Sequence, residues 1–547
     1  MALFIMLFAF VVVDRFMFHR IYPYIILCGL SFWVSGFCVG QIDTEFGEAG
    51  RFVYANGEYN TLVDLVKTDD DGVLLAIQSI ESSGDYNTDY ILVKLTFDGA
   101  LDDEFGIGGI VKGDFDGYSN SEPKNLQVFA DGGFVLTGLA NDGGELNDVV
   151  VVHFLPTGLV DMTYGMNGVN VYQPSTLSNL EYRFFQSDLT PGVLVGSAMF
   201  IRDVEYNSFS AITRLADNWA IDTTFQETGT LLMDFVKGFS AGENSKVAHT
   251  EGGSVLSCVP LQDGAFILAG YYFLEAGLRV GYICKIDSDG QLDSSFATNG
   301  FLNIHSPGSS ESRVIDLKPN TDTSGFYAAV REITNPDNDF VVYQIAENGI
   351  IEDTVIFDVK GASDNMQCLN VTEDFVVTAG YTIKPANESA SFRDSDFWAL
   401  AWFDQDDAFE KKFWFEDDLN NSQKGIQRII SVDGNQVIVG GFQEGVNNGV
   451  RDIVVSKLDL DEATGTSEIV GEFDWGFYPT IVEKEGFVYV HPDVRSVRVF
   501  DLKGQLLKAC RLEDTRADLD LSQSGLLIIE LSNGQKTQRK KVLVTGD

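Results

Sequence analysis

A unit of about 60 residues recurs along this chain, and a fixed period of that length dictates an array of supersecondary units before any single residue is read. Each copy opens with an aliphatic residue, an aspartate, two further residues, an aromatic ring and usually a glycine. The copies are Ile42-Asp43 with Phe46-Gly47, Leu101-Asp102 with Phe105-Gly106, and Val160-Asp161 with Tyr164-Gly165. Ile221-Asp222 with Phe225 and Leu292-Asp293 with Phe296 follow. The signature aspartates are 59, 59, 61 and 71 residues apart.

Two further signals recur inside the unit. Turns such as Asp71-Gly72, Asp131-Gly132, Asp263-Gly264 and Asp433-Gly434 each precede an apolar run, with variants at Pro191-Gly192, Gly325 and Asp374. Asp-Gly before β-branched and aromatic residues is a strong hairpin signal. Short apolar runs such as Tyr90-Ile91-Leu92-Val93 and Ile453-Val454-Val455 have no period of 3.6, so they read as buried strands. The pattern predicts a strand before the turn (61–68 in the first unit), one after it, a third ending in a base, and a fourth after the signature (109–115).

Four short antiparallel strands repeated radially make a β-propeller. The first three strands occur in seven copies, and the seventh has no fourth strand after its third at 452–458. A spare fourth strand lies at 50–55. The expectation is an all-β, seven-bladed propeller of four-stranded blades over 41–470, its last blade completed by the N-terminal strand. Such closure removes free sheet edges. An open β-solenoid is the alternative, but it would need no spare strand.

The signature residues take a structural reading. Asp43, Asp102, Asp161, Asp222 and Asp293 can bond turn amides. Phe46, Phe105, Tyr164, Phe225 and Phe296 can wedge between units, and Gly47, Gly106 and Gly165 can take positive φ. A motif present in every unit is there to build the unit.

These motifs together resemble the delta-60 repeat family over roughly 42–460. The likeness is strong in the first, second and fifth copies. It fades at Ile351-Glu352 and Asp406 to Phe409, which lack the Phe-Gly pair. The resemblance implies a propeller-like fold in a secreted bacterial protein and brings no common ligand or reaction.

The net charge is −44, and residues 41–470 carry all of it. Such a surface repels nucleic acid and anionic lipid. It implies solubility or, more specifically, calcium binding at Asp69-Asp70-Asp71 or at Asp287 and Asp289, although neither matches a full calcium-loop spacing. No resident cofactor is expected otherwise. Cys258, Cys284, Cys368 and Cys510 read as free thiols.

The two ends differ from the middle. Residues 1–40 are strongly apolar, with Asp14, Arg15 and Arg20 interrupting, and read as a secretory signal peptide. A retained anchor is the alternative; no other stretch is long and apolar enough to span a bilayer. From about residue 471 the charge balances, which marks a domain boundary. Strands are expected near 487–491, 494–501, 505–511, 526–531 and 540–544, as a small β-sandwich over 471–547. Tyr478-Pro479, the stretch from Val497 through Asp501 to Gly504, Gly525 with the apolar run after it, and Lys540-Lys541 resemble the type A sorting domain of type IX secretion in Bacteroidota. Thr480 and Ile481 depart from that family's Tyr-Pro-Asn-Pro start. The resemblance implies export across the outer membrane, with the type IX machinery as partner, and often attachment to the cell surface.

The chain carries no Gly-x-Ser-x-Gly elbow, His-Glu-x-x-His, phosphate loop or Cys-x-x-Cys. His153 stands where Lys94, Arg214, Lys285 and Lys457 stand in other units, so it reads as a repeat variant; His249 and His305 stand alone. Tyr271, Tyr272, Trp398, Trp402 and Trp414 are expected in loops, able to stack on sugars or to pack the core. Three functions remain open: a non-enzymatic binder of a glycan or protein, a polysaccharide-active enzyme using loop carboxylates, and a calcium-stabilised structural protein.

Overall fold

The computed structural model describes residues 41–81, 88–115, 117–141, 147–172, 178–187, 190–202, 205–233, 253–261, 263–273, 278–305, 309–321, 324–333, 338–357, 363–383, 396–405, 411–415, 423–444 and 450–460. Beyond these it describes 477–478, 481–483, 487–490, 495–500, 506–511, 516–518, 525–532 and 537–545. The expected leader at 1–40 lies outside the described residues. So do His249 and, in the sorting motif, Pro479, Asp501 and Gly504. The described chain is all-β. One three-residue 3-10 turn, Phe225–Glu227, interrupts the strands. Among the described residues no helix is long and apolar enough to cross a membrane.

The strands fall into antiparallel groups of four. The first is Tyr59–Lys67, Val73–Ile80, Thr88–Leu95 and Ile110–Gly113, each paired with the next. The same up-and-down order repeats over 120–172, 178–233, 253–304, 311–357 and 363–415. Gln423–Ser431, Gln436–Glu444 and Arg451–Asp459 form a last group, which takes its fourth strand from far upstream. Arg51–Tyr54 lies antiparallel on Arg451–Asp459, with Phe52 opposite Val455. Single parallel pairings, Thr88 with Asn120 and Arg451 with Tyr59 among them, tie a third strand to the first strand of the next group.

The first strands of successive groups lie against one another in chain order, and Gln423–Ser431 lies against Tyr59–Lys67. A bulge interrupts each of them, for example between Leu62 and Asp64, Val314 and Asp316, and Ile426 and Arg428. A bulge adds twist and re-aims a side chain. Here it turns polar side chains onto the neighbouring strand's backbone. Leu126 N donates to Asp64 Oδ2 (2.8 Å), Phe184 N to Asn125 Oδ1 (2.9 Å), Leu317 N to Ser257 Oγ (3.2 Å) and Leu369 N to Asp316 Oδ2 (3.1 Å). Leu62 N donates to Gln427 Oε1 (3.2 Å), joining the last first-strand to the first one. These bonds satisfy amides that the bulges take out of the sheet ladder.

The core lies between groups. Phe105, Leu74 and Tyr90 of the first pack with Leu126, Phe134 and Phe154 of the second. Leu62, Leu75 and Val93 of the first pack with Phe442, Ile453 and Val455 of the last. Middle strands are therefore buried on both faces, which is why they read as unbroken apolar runs.

In the C-terminal region, Phe477–Tyr478, Phe487–Val490 and Arg516–Asp518 form one sheet. Ile481–Glu483, Thr537–Thr545, Gly525–Ser532, Ser496–Phe500 and Leu506–Arg511 form another. Tyr478 and Gly525 fall on strands, as do Lys540 and Lys541. Val497, Val499, Ile529 and Leu531 are buried.

Candidate functional site

The signature residues gather at one end of the strands and are consumed there by the framework. Each aspartate caps its own turn: Asp43, Asp102, Asp161, Asp222 and Asp293 Oδ1 accept the amide two residues on, at 2.9 to 3.0 Å. In all but Asp161 the other oxygen meets a cation, a partnership that the sequence reading missed. Lys94 lies 3.0 Å from Asp102, Arg214 2.8 Å from Asp222, Lys285 3.7 Å from Asp293 and Lys457 3.4 Å from Asp43. The base near the end of four of the third strands is thus the counter-ion of the signature. In three of the four pairs the base stands eight residues ahead of its aspartate, which was the available signal; Lys457 reaches Asp43 only through the pairing of the chain's two ends. Hydrogen bonds from Thr163, Thr224 and Ser295 hold Asp161, Asp222 and Asp293 below their ordinary value.

Phe46, Phe105, Phe225 and Phe296 are all buried. A Cβ at Gly99, Gly158, Gly290 or Gly349 would fall within 3 Å of the ring of Phe46, Phe105, Phe225 or Phe296 respectively, so a glycine in the following turn makes room for each ring. Gly47, Gly106 and Gly165 take positive φ as expected, and in the later copies Gln226 and Ala297 adopt it despite their side chains.

The third copy departs from the pattern in three places at once. His153 replaces the base, Tyr164 replaces the buried Phe and is 38% exposed, and Trp219 replaces the turn glycine at φ 63°. Trp219 packs edge-on against His153 (4.3 Å) and tilted against Phe184 (4.9 Å), while Tyr164 stacks on His153 at 4.3 Å. His153 Nε2 lies 3.1 Å from Asn170 Oδ1. Burial pushes the imidazole down to about 4. A neutral ring therefore stands where a cation stands elsewhere, and it is a packed repeat variant.

A cavity of about 270 Å³ opens beside the motif between the first two groups, lined by Asp69, Asp70, Lys94, Phe105 and Asp131 among others. The acidic run considered for calcium borders it. Lys94 bonds Asp70, and Lys67 lies 3.0 Å from Asp71, so two of these three carboxylates already have counter-ions. Asp287 Oδ1 accepts amides from Asp289 and Gln291. Among the described residues no three His, Cys, Asp or Glu side chains converge as a metal site.

The aromatics expected in loops lie on strands. Tyr271 and Tyr272 belong to Phe266–Phe273, Trp398 and Trp402 to Asp396–Asp404, and Trp414 to Lys411–Phe415. Both Trp398 and Trp402 are core residues at 1% and 0% exposure, and Trp398 Nε1 donates to Phe442 O. The apolar lining of a fully buried middle strand gives a tryptophan more contact than a turn does. Cys258, Cys284 and Cys368 are free and buried, and burial pushes the Cys368 thiol up to about 12. His305 is exposed.

The opposite end of the strands holds a different arrangement. Glu311 opens the first strand of the 311–357 group and is almost fully buried. Arg279, at the start of the neighbouring group's third strand, and Arg313 both ion-pair with it. Their guanidinium carbons lie over the Tyr271 ring at 5.8 and 4.7 Å. Burial opposes ionisation of Glu311, but hydrogen bonds from Arg313 and Arg279 outweigh it and hold the carboxyl below 4.5. Arg331 stands directly opposite Arg313 in the antiparallel register. Two guanidiniums thus flank one carboxylate and one tyrosine, and a third arginine leaves the same sheet face beside them. Chemically this is a donor-rich, cationic arrangement suited to binding an anion. The sequence hides it because Arg279, Arg313 and Arg331 converge only once the register is known.

No protein-family model matches the chain, and no curated protein does. Solved structures resemble it distantly. A protein of unknown function from Dyadobacter fermentans matches at 12% identity and TM-score 0.38, over 78% of this chain and 100% of its own. The polysaccharide lyase Uly1 matches at 8% and 0.42, over 78% and 98%. A GH43_1 enzyme from Xanthomonas citri matches at 10% and 0.31, over 58% and 97%. Likeness at this level carries no argument about substrate or reaction.

Proposed function

We propose that this chain is a seven-bladed propeller of the delta-60 type that binds an extracellular polymer without chemistry. On this reading residues 1–40 direct secretion, residues 471–547 are read by the type IX machinery, and 41–470 is displayed at the outer cell surface. Support for the propeller is the repeated four-strand order, with Arg51–Tyr54 filling the last group. Support for the sorting domain is its motif residues and the strands that carry Tyr478, Gly525, Lys540 and Lys541.

The observation that carries the binding role is how the titratable groups are used. The signature carboxylates are tied to cations and turn amides, leaving no signature aspartate both free and poised to exchange a proton. Acid–base cleavage of a glycosidic bond needs a pair of such groups flanking the scissile bond. At the other end, where carboxylates such as Asp89 and Asp452 also stand, the arginines bind anions but do not titrate near neutral pH. Calcium has no part in the proposal, because Lys94 and Lys67 already neutralise Asp70 and Asp71.

The test incubates the full chain with a panel of polysaccharides and measures retained protein and released ends in the same tubes. Retention without new reducing or unsaturated ends is the expected result. Released ends overturn the binding reading in favour of a polysaccharide-active enzyme.

A further inference from the structure

We infer that Arg279, Arg313 and Arg331 form a site for the anionic group of an acidic saccharide, a carboxylate or a sulfate. This rests on the binding-module reading above and names the ligand's chemistry.

Three observations carry it. The first is charge frustration. Arg313 and Arg331 are direct cross-strand partners, so their side chains leave the same sheet face. Like charges in that position destabilise a sheet. The chain tolerates this although it carries −44 overall and has carboxylates in excess. The second is the count of partners. Glu311 is shared by Arg279 and Arg313. Arg331, half-buried, makes no side-chain hydrogen bond or ion pair among the described residues. Glu332 lies on the opposite face of the strand, since it pairs with Ser312. The third is pre-organisation. Glu311 and the Tyr271 ring hold Arg279 and Arg313 in place, so little side-chain freedom remains to be lost on binding.

A planar fork of N–H donors matches a carboxylate or sulfate in two-point contact. Arg331 supplies that fork, and Arg313 and Arg279 supply the surrounding potential. At the opposite end of the strands each signature cation has its aspartate, so no comparable surplus arises there. The chain's overall charge repels long polyanions, which makes short acidic oligosaccharides in about 0.15 M salt the sharper probes, because the Debye length is then about 8 Å.

The experiment titrates the full chain by calorimetry with trigalacturonate (carboxylate only), a κ-carrageenan tetrasaccharide (sulfate only) and maltotriose (neutral). It repeats the titrations with Arg331→Gln, Arg331→Lys and, as a charge control on an exposed residue, Lys112→Gln. The expected result is binding of one or both acidic sugars, with trigalacturonate assigning the carboxylate and the tetrasaccharide the sulfate. Arg331→Gln should weaken binding at least about ten-fold, the loss of a charged hydrogen-bond donor. Arg331→Lys should recover part of it, and Lys112→Gln should change nothing. Equal affinities for wild type and Arg331→Gln overturn the site, as does an equal loss in Lys112→Gln. If neither acidic sugar binds below about 1 mM while the polysaccharide panel is still retained, this site fails and the binding-module reading stands. If the panel is not retained either, both fail.

Discussion

Lys94 and Arg331 are both basic residues near a strand end in a strongly acidic chain, yet their surroundings are opposite. Lys94 is buried between Asp70 and Asp102, one of a series of cations each matched to a signature aspartate. Arg331 stands opposite another arginine and has no acid of its own among the described residues. The first arrangement recurs group after group, as a building element does. The second breaks the charge logic of the rest of the molecule, and that break distinguishes a site from scaffolding.

The largest expected effect tests whether the motif end is scaffolding. Phe105→Ala removes a fully buried ring from the junction of the first two groups and should lower stability by about 3–5 kcal/mol in denaturant titration. A loss under about 1 kcal/mol would mean the signature ring is not structural.

Next comes acid titration. His153 is held at about 4 against an ordinary 6.5. Its folded state resists the proton, so its stabilisation is present above 6.5 and is lost as pH falls from 6.5 toward 4. That loss is at most about 3 kcal/mol. Unfolding curves at stepwise pH should show a slope in this window that His153→Gln flattens. Asp222 and Asp293 act in a lower window. Their lowered values stabilise the fold above 3.8, and that contribution disappears as pH drops through their folded values. The His153→Gln variant should keep this second slope.

Lys94→Ala isolates the matched cation. It leaves Asp102, 19% exposed, without its counter-ion and should cost about 2 kcal/mol, less than a fully buried pair because Asp70 is well exposed. The smallest effect separates the two cations most directly. Arg331→Gln should change stability by no more than about 0.5 kcal/mol, and toward greater stability, since it relieves a like-charge pair. A clear fall in melting temperature for Arg331→Gln would make it a structural residue and erase the contrast with Lys94.

The strand pattern and the structural role of the signature were legible because both depend on local spacing. Apolar runs of five to eight residues and Asp-Gly turns mark strands and hairpins whatever the rest of the chain does. The upstream strand at 50–55 was legible by subtraction from the repeat, and Arg51–Tyr54 pairs where that arithmetic places it. What stayed hidden depends on register and neighbours. Arg313 and Arg331 are 18 positions apart in sequence and meet only through the hairpin. Trp398 and Trp402, expected in loops and able either to stack on sugars or to pack the core, lie on a strand and line an interface between groups. Trp219 carries a ring where the repeat has glycine, and only the outward shift of Tyr164 explains how that ring fits.

The pairing of Arg51–Tyr54 with Arg451–Asp459 also sets an order of events. A chain grows from its N-terminus, so the strand made first acquires its partner last. Until the final repeat exists, the last-made sheet has an open edge and the earliest strand has nowhere to dock. A chain cut short before that last repeat would therefore carry two unpaired edges, the earliest strand and the end of the last complete group, each free to pair with another molecule.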